Sequence, residues 1–346
     1  MKYKSPYANV KATEMICLAT NENPHALPEE VIADISQGLQ KLNRYPKVDN
    51  SVLREKIAKR FCVGKENVMI GSGSDELITL ITIKFVNSNE NTIMTDPSFF
   101  RYKQATDMLG GNCSMVSCDK NYTHDLKAMR EQITDRTKIV FICNPNNPTG
   151  TIVSCDEIEE FMASVSENLI VVVDEAYFDF VYPRKTRSAS TLINKYKNLI
   201  VLRTFSKYFA LAGIRVGYAI GDASVISEIN SIRSPYSVNS LAQIAAESVL
   251  DHSEYFDNVF YDEIHEEKEY LYRELKNLNI PFVESQANFI FAEFGPECEK
   301  WCELLAAKGI IIRPCAMFSY PQHVRITIGS HQENDLLINE LKNIKG

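Results

Sequence analysis

The chain predicts an α/β fold: a large domain with a mostly parallel sheet sandwiched by helices, and a smaller α+β domain. Two observations carry this. Between residues 68 and 220, short and almost continuously apolar runs alternate with amphipathic helical stretches. Strands covered on both faces read as unbroken apolar runs, and βαβα alternation implies a parallel sheet. Beyond residue 222 the texture changes to long helical stretches rich in Glu, Tyr and Lys.

Taken in order, residues 1–25 read as an irregular arm, with Ser5-Pro6-Tyr7 and Asn21-Glu22-Asn23-Pro24 as turn signals. Helical spacing covers 28–41 and 50–61. A strand over 68–70 leads through Gly71-Ser72-Gly73-Ser74 into a helix from Asp75 to Val86. Strands are expected over 92–94, 112–116, 139–142, 169–173, 199–202 and 216–220, with helices over 98–109, 124–133 and 156–166. One helical stretch over 240–278 connects to a unit with strands near 281–292 and 324–328 and helices near 297–307 and 333–344. The expected division is an arm over 1–27, a large domain over 28–245 and a small domain over 246–346 to which the arm contributes.

The bulk numbers exclude some function classes. A formal net charge of −8 over 346 residues argues against nucleic acid or an anionic membrane as the main partner. Nine cysteines, odd in number and scattered, suit reduced thiols in the cytoplasm rather than a disulfide framework. Cys298 and Cys302 lack further ligands at zinc spacing, so no metal is expected. No signal peptide and no membrane-spanning run is read.

In open parallel sheets, ligands sit beyond the carboxyl ends of the strands. Three strand ends there carry chemistry. After 139–142 comes Asn144-Pro145-Asn146-Asn147-Pro148-Thr149-Gly150, which can present the Asn147 amide or serve as a plain turn. After 171–173 come Asp174 and Tyr177, and a carboxylate ending a Val-rich strand is costly unless a cation or donor meets it. After 199–202 come Thr204, Ser206 and Lys207, with Arg215 eight positions on. Lys207 alone reads equally as a snorkelling strand-end lysine or as an amine that burial deprotonates into a nucleophile and base. The loop through Gly73 and Ser74, opening a helix with Asp75 in its first turn, offers backbone N–H groups to an anion, although Ser74 also suits a simple N-cap. Asp75 and Glu76 would repel that anion, so their carboxylates are expected to point away.

An anion cradle, an acid, an aromatic wall and a reactive lysine together suit pyridoxal phosphate. Lys207 would bond its aldehyde and shuttle a proton. Asp174 would keep the ring nitrogen charged, and Asn147 and Tyr177 would bond the phenolate oxygen. Ser206, Arg215 and the 71–74 loop would hold the phosphate. Phe99 could stack on the ring or simply belong to the core.

The segments NPNNPTG, VVVDEAYFDF and RTFSKYFALAGIRVGY together resemble the fold-type-I, aspartate-aminotransferase-like enzymes. Within them the chain is most similar to histidinol-phosphate aminotransferases. That likeness extends through NENP, NRYP, GSGSDELI, DPSFFRY, SVNSLAQ, QANFI, GIIIRP and VRITIGS. The resemblance implies transamination of L-histidinol phosphate with 2-oxoglutarate, a homodimer with shared active sites, and Lys207 as the catalytic lysine. It implies a phosphate site of Ser74, Thr204, Ser206 and Arg215, completed by Tyr45 of the neighbouring subunit. Substrate contacts would come from Tyr7, Asn23, Arg313 and Arg325. Tyr208-Phe209-Ala210, His25-Ala26 and Phe100 depart from the usual pattern and bear on the substrate. A threonine-phosphate decarboxylase, compatible with Cys315-Ala316, and an aromatic-amino-acid aminotransferase are the alternatives.

Overall fold

A computed structural model describes residues 15–345. Twelve strands run along them: β1 (Ile16–Leu18), β2 (Val68–Gly71), β3 (Asn91–Asp96), β4 (Asn112–Ser117), β5 (Thr137–Cys143), β6 (Ile170–Asp174), β7 (Leu199–Thr204), β8 (Gly217–Gly221), β9 (Phe282–Val283), β10 (Phe289–Glu293), β11 (Ile310–Pro314) and β12 (His323–Thr327). Seven of them form one sheet in the order β2-β8-β7-β6-β5-β3-β4, in which only β8 runs antiparallel to its neighbours. The other five form a second sheet in the order β1-β11-β12-β10-β9.

The unbroken apolar runs of β5, β6 and β7 have a direct cause. Successive side chains leave a strand on opposite faces. Val140, Ile142, Val171, Val173, Leu199 and Val201 enter one hydrophobic core. Ile139, Phe141, Ile170, Val172, Ile200 and Leu202 enter another. Both faces are therefore sealed, and each fully buried side chain of this kind contributes about 1.5–3 kcal/mol. The strand ends are consequently the place where polar groups can emerge together.

Five segments differ from expectation. Ile16–Leu18 is not irregular: it pairs in parallel with Ile310–Ile312, so chain just before residue 20 is fixed to the second sheet. The expected stretch over 240–278 is three helices, Ser240–Asp251, Ser253–Val259 and Tyr261–Asn277. The first break falls at His252, whose backbone N–H still bonds the Ser248 carbonyl at 3.0 Å while its ring nitrogen Nδ1 lies 2.9 Å from the same oxygen. The helix expected from residue 98 begins at Arg101, because Ser98 is held in the preceding turn by a 2.7 Å bond to Asn146. A helix over Ala223–Asn230, capped by Asp222, and strand β11 were not foreseen.

Among the described residues no helix is long and apolar enough to cross a membrane, and no cluster of acidic, His and Cys side chains could hold a metal ion.

Candidate active site

The carboxyl ends of β5, β6 and β7, the start of the helix Ser74–Phe85, and strands β11 and β12 enclose one cavity. It is lined by Ser74, Asp75, Phe99, Asn147, Asp174, Tyr177, Thr204, Ser206, Lys207, Arg215, Arg313 and Arg325, together with Thr20, Asn21, Phe100, Cys143, Ala176, Met317 and Phe318.

Lys207 follows β7, and its Nζ donates to the Thr20 carbonyl at 2.8 Å. Loss of solvent around the amine, with the charge of Arg325 beside it, pushes its pKa down to about 7. A substantial fraction is then neutral at physiological pH, as a nucleophilic amine requires. Asp174 ends β6 and is buried. Burial pushes its carboxyl up to about 6, opposed by hydrogen bonds from Tyr102 and the Ala176 amide.

Tyr177 and Asn147 meet. The Asn147 amide lies 3.5 Å from the Tyr177 hydroxyl and its oxygen accepts from Arg325 Nη1 at 2.6 Å. Asn21 donates to the same tyrosine hydroxyl at 2.9 Å. Burial pushes the Tyr177 phenol up to about 12.

At the opposite wall, Arg215 Nη1 bonds Ser206 Oγ at 3.3 Å and the Ala212 carbonyl at 3.0 Å. Thr204 Oγ1 accepts from the Ser206 amide at 3.1 Å. Gly73 precedes the helix with φ +82°, and a Cβ there would stand 2.7 Å from Arg215 Nη2. A Cβ on Gly217 would stand 2.7 Å from the Ser74 amide nitrogen. Only glycine permits this approach of loop, arginine and strand. The result is a cationic, N–H-lined pocket of the kind that holds a phosphate.

Other expected residues stand elsewhere. Asp75 lines the cavity, but its carboxylate is held by Arg101 Nε at 2.9 Å, and Glu76 accepts from the Ser72 amide at 2.5 Å. Asp75 thus turns toward Arg101, whereas Glu76 does not point away: it folds back onto the loop and takes up the Ser72 N–H, because that donor at the helix start needs an acceptor. Asn23 stands outside the cavity lining: its amide donates to the Tyr208 carbonyl and its oxygen accepts from the His25 amide, both at 3.0 Å. Asn21, two residues earlier, reaches it instead because β1 aims this segment across the strand ends. The first asparagine of the NENP signal was the available clue. Tyr45 is 82% exposed and stacks on Tyr236 at 4.6 Å, outside its own chain's cavity. Tyr7 lies outside the described residues. Arg313 and Arg325 are register partners on β11 and β12, both buried, and both donate to the Ala19 carbonyl. Tyr208, Phe209 and Ala210 pack behind Lys207, with Tyr208 OH bonding Asp257 at 2.8 Å.

The two sheets and the cavity at their junction define an aspartate-aminotransferase-like, fold-type-I enzyme that uses pyridoxal phosphate. Residues 13–341 match the family of class I and II aminotransferases, and the chain belongs to that family. It is 38% identical to a histidinol-phosphate aminotransferase of Caldicellulosiruptor saccharolyticus, over 96% of this chain and 92% of that one. It is 35% identical to one of Moorella thermoacetica, over 96% and 86%. The structure of a histidinol-phosphate aminotransferase from Clostridium acetobutylicum superposes with a TM-score of 0.88, at 25% identity over 96% of this chain and 99% of that one. That of the Sinorhizobium meliloti enzyme, in complex with pyridoxal 5′-phosphate, shares the fold at a TM-score of 0.90, 22% identity and coverage of 96% and 91%.

Proposed function

We propose that this transaminase converts L-histidinol phosphate and 2-oxoglutarate to imidazole acetol phosphate and L-glutamate, in the cytoplasm, as a step of histidine biosynthesis. The observation that carries the chemistry is the convergence of Lys207, Asp174, Asn147, Tyr177, Ser206 and Arg215 on one cavity. Bound there, pyridoxal phosphate supplies an aldehyde that takes up amino groups and a ring that accepts electrons.

The residues divide the remaining work. Asp174 would hold a proton on the ring nitrogen. Asn147 and Tyr177 would hold the ring oxygen, and Arg215, Ser206, Thr204 and the Ser74 amide would hold the phosphate. Lys207 Nζ, neutral in part, would hold the cofactor's aldehyde carbon and carry the proton at the substrate α-carbon. Arg313 and Arg325 put two buried guanidiniums side by side, and adjacent like charges attract an anion. One arginine site can serve both half-reactions, because histidinol phosphate carries a phosphate where glutamate carries its α-carboxylate. We also propose a homodimer in which Tyr45, exposed beside Leu42 and Val48, reaches the neighbour's phosphate site.

One observation favours a second reading. Phe99, Phe100, Met317 and Phe318 give the cavity an apolar wall suited to phenylalanine or tyrosine as donor. No comparable feature favours the decarboxylase, because Cys315 is buried against Phe291 and Phe318 rather than lining the cavity.

Purified holoenzyme mixed with histidinol phosphate should lose the cofactor's visible absorption and, with 2-oxoglutarate, form glutamate. Conversion by phenylalanine but not by histidinol phosphate overturns the first reading in favour of the second, and carbon dioxide release from threonine phosphate overturns both. A second result concerns pH. The rate at which cofactor-free protein captures pyridoxal phosphate should rise through about pH 7, because only the unprotonated Lys207 amine reacts. A rise centred near the ordinary lysine value would refute the depressed pKa.

A further inference from the structure

Asp174 receives one hydrogen bond on each oxygen. The Ala176 amide donates to Oδ1 at 3.1 Å, and the Tyr102 hydroxyl donates to Oδ2 at 2.8 Å. Tyr102 comes from the helix Arg101–Met108 and is wholly buried. Its ring lies flat on Phe141, with centroids 4.6 Å apart at 8°, and meets Phe99 edge-on at 5.6 Å. Phenylalanine would fill the same space, so the hydroxyl is what requires tyrosine here.

The surroundings otherwise oppose an ionised Asp174. Burial is the largest influence, and the Asp75 and Glu175 carboxylates both disfavour a further negative charge. Arg101 pairs with Asp75 and Arg203 with Glu175, which moderates those two charges. The Cys143 thiol flanks the tyrosine and is itself pushed up to about 12 by burial, so it stays neutral. The Tyr102 hydroxyl, whose own pKa burial raises, also keeps its proton and is therefore a permanent donor. A donor to the charged form favours that form.

We propose that Tyr102 is a positioning residue for the acid of this site: its hydroxyl keeps Asp174 ionised and fixes the carboxylate's orientation toward the cavity. This rests on the reading of Asp174 as the partner of the cofactor's ring nitrogen. Without the hydroxyl, Asp174 draws the shared proton toward itself and the ring accepts electrons less well.

The test uses Tyr102→Phe, Asp174→Asn and the double variant. In cofactor-free protein with 13C-labelled aspartate, the Asp174 carboxyl is assigned by its absence from Asp174→Asn. Its titration midpoint, expected at about 6 in the parent, should rise by about one unit in Tyr102→Phe. In holoenzyme, Tyr102→Phe should lower kcat about tenfold or more, with the KM of the amino donor changed less than about twofold. The same substitution should cost nothing further in the Asp174→Asn background. An unchanged midpoint overturns the proposal. An equal kcat loss in both backgrounds also overturns it, because the ring would then act by packing alone. If Asp174→Asn leaves the cofactor absorption and kcat at parent values, it is the reading of Asp174 that fails, and the cofactor-free titration still decides for or against Tyr102.

Discussion

Lys207→Ala should leave a folded protein that no longer retains pyridoxal phosphate through dialysis and has lost its transaminase turnover. Two losses combine. The chain gives up the amine that bonds the cofactor, and it gives up the base at the substrate α-carbon. Positioned proton transfer alone contributes about 10²–10⁴-fold to a rate, so residual turnover should fall by at least that factor. Folding should change little. Among the described residues Lys207 makes one hydrogen bond, to the Thr20 carbonyl, which contributes about 0.5–1.5 kcal/mol. Removing an amine whose charge is disfavoured offsets part of that. Lys207→Arg separates chemistry from charge: a guanidinium keeps the cation but does not deprotonate in proteins. It should be as inactive as the alanine variant. Substantial turnover in either variant, with the visible cofactor band retained, would remove Lys207 from the centre of the site.

Much of this site was legible in the chain because its polar residues follow apolar runs directly. Val171-Val172-Val173-Asp174 and Leu199-Ile200-Val201-Leu202 leave no choice but buried strands. Whatever follows such a run emerges at the sheet's edge, so the sequence alone sets Asp174 and Lys207 on neighbouring strand ends. The Gly73–Ser74 cradle was readable for a similar reason, since glycine before a helix start marks a tight approach. What was not legible depends on contacts distant in sequence. Asn21 reaches Tyr177 only because β1 pairs with β11, some 290 residues away, and three residues of strand give little periodic signal. Asn23 carries the same side chain in the same turn-like segment, and nothing local distinguishes a residue aimed at the cavity from one aimed at the Tyr208 carbonyl. Tyr102 was hidden differently. It sits on a helix with an ordinary amphipathic pattern, where a buried tyrosine reads as core until its hydroxyl is seen beside Asp174. The connection over 240–278 was misread because helical spacing continues in phase across His252, and the local break there costs the pattern nothing.

Arg203→Met should destabilise the protein by about 3–5 kcal/mol in urea denaturation, the cost of breaking a buried ion pair from one side. Arg203 lies within β7, the strand that leads to Lys207, and is 4% exposed. Its guanidinium meets Glu175 at 2.7 Å and Asp179 at 3.3 Å, and it stands over the Phe178 ring at 4.8 Å. Glu175 is fully buried directly after Asp174. Without Arg203 its carboxylate keeps only the Ser188 hydroxyl at 2.7 Å and the Ala189 amide at 2.8 Å, which satisfy lone pairs but do not balance the charge. Methionine fills most of the vacated volume, so the loss reports the stranded charge rather than a cavity. Arg203→Met combined with Glu175→Gln should therefore recover most of the stability, because no buried charge is left without its partner at that position. A single variant costing less than about 1 kcal/mol, or a double variant as unstable as the single, would show that the pair does not anchor this strand end. The pair stands behind the two residues whose separation matters most. Glu175 adjoins Asp174 on β6 and Arg203 precedes Lys207 on β7, so the salt bridge ties together the two strand ends that present the acid and the amine.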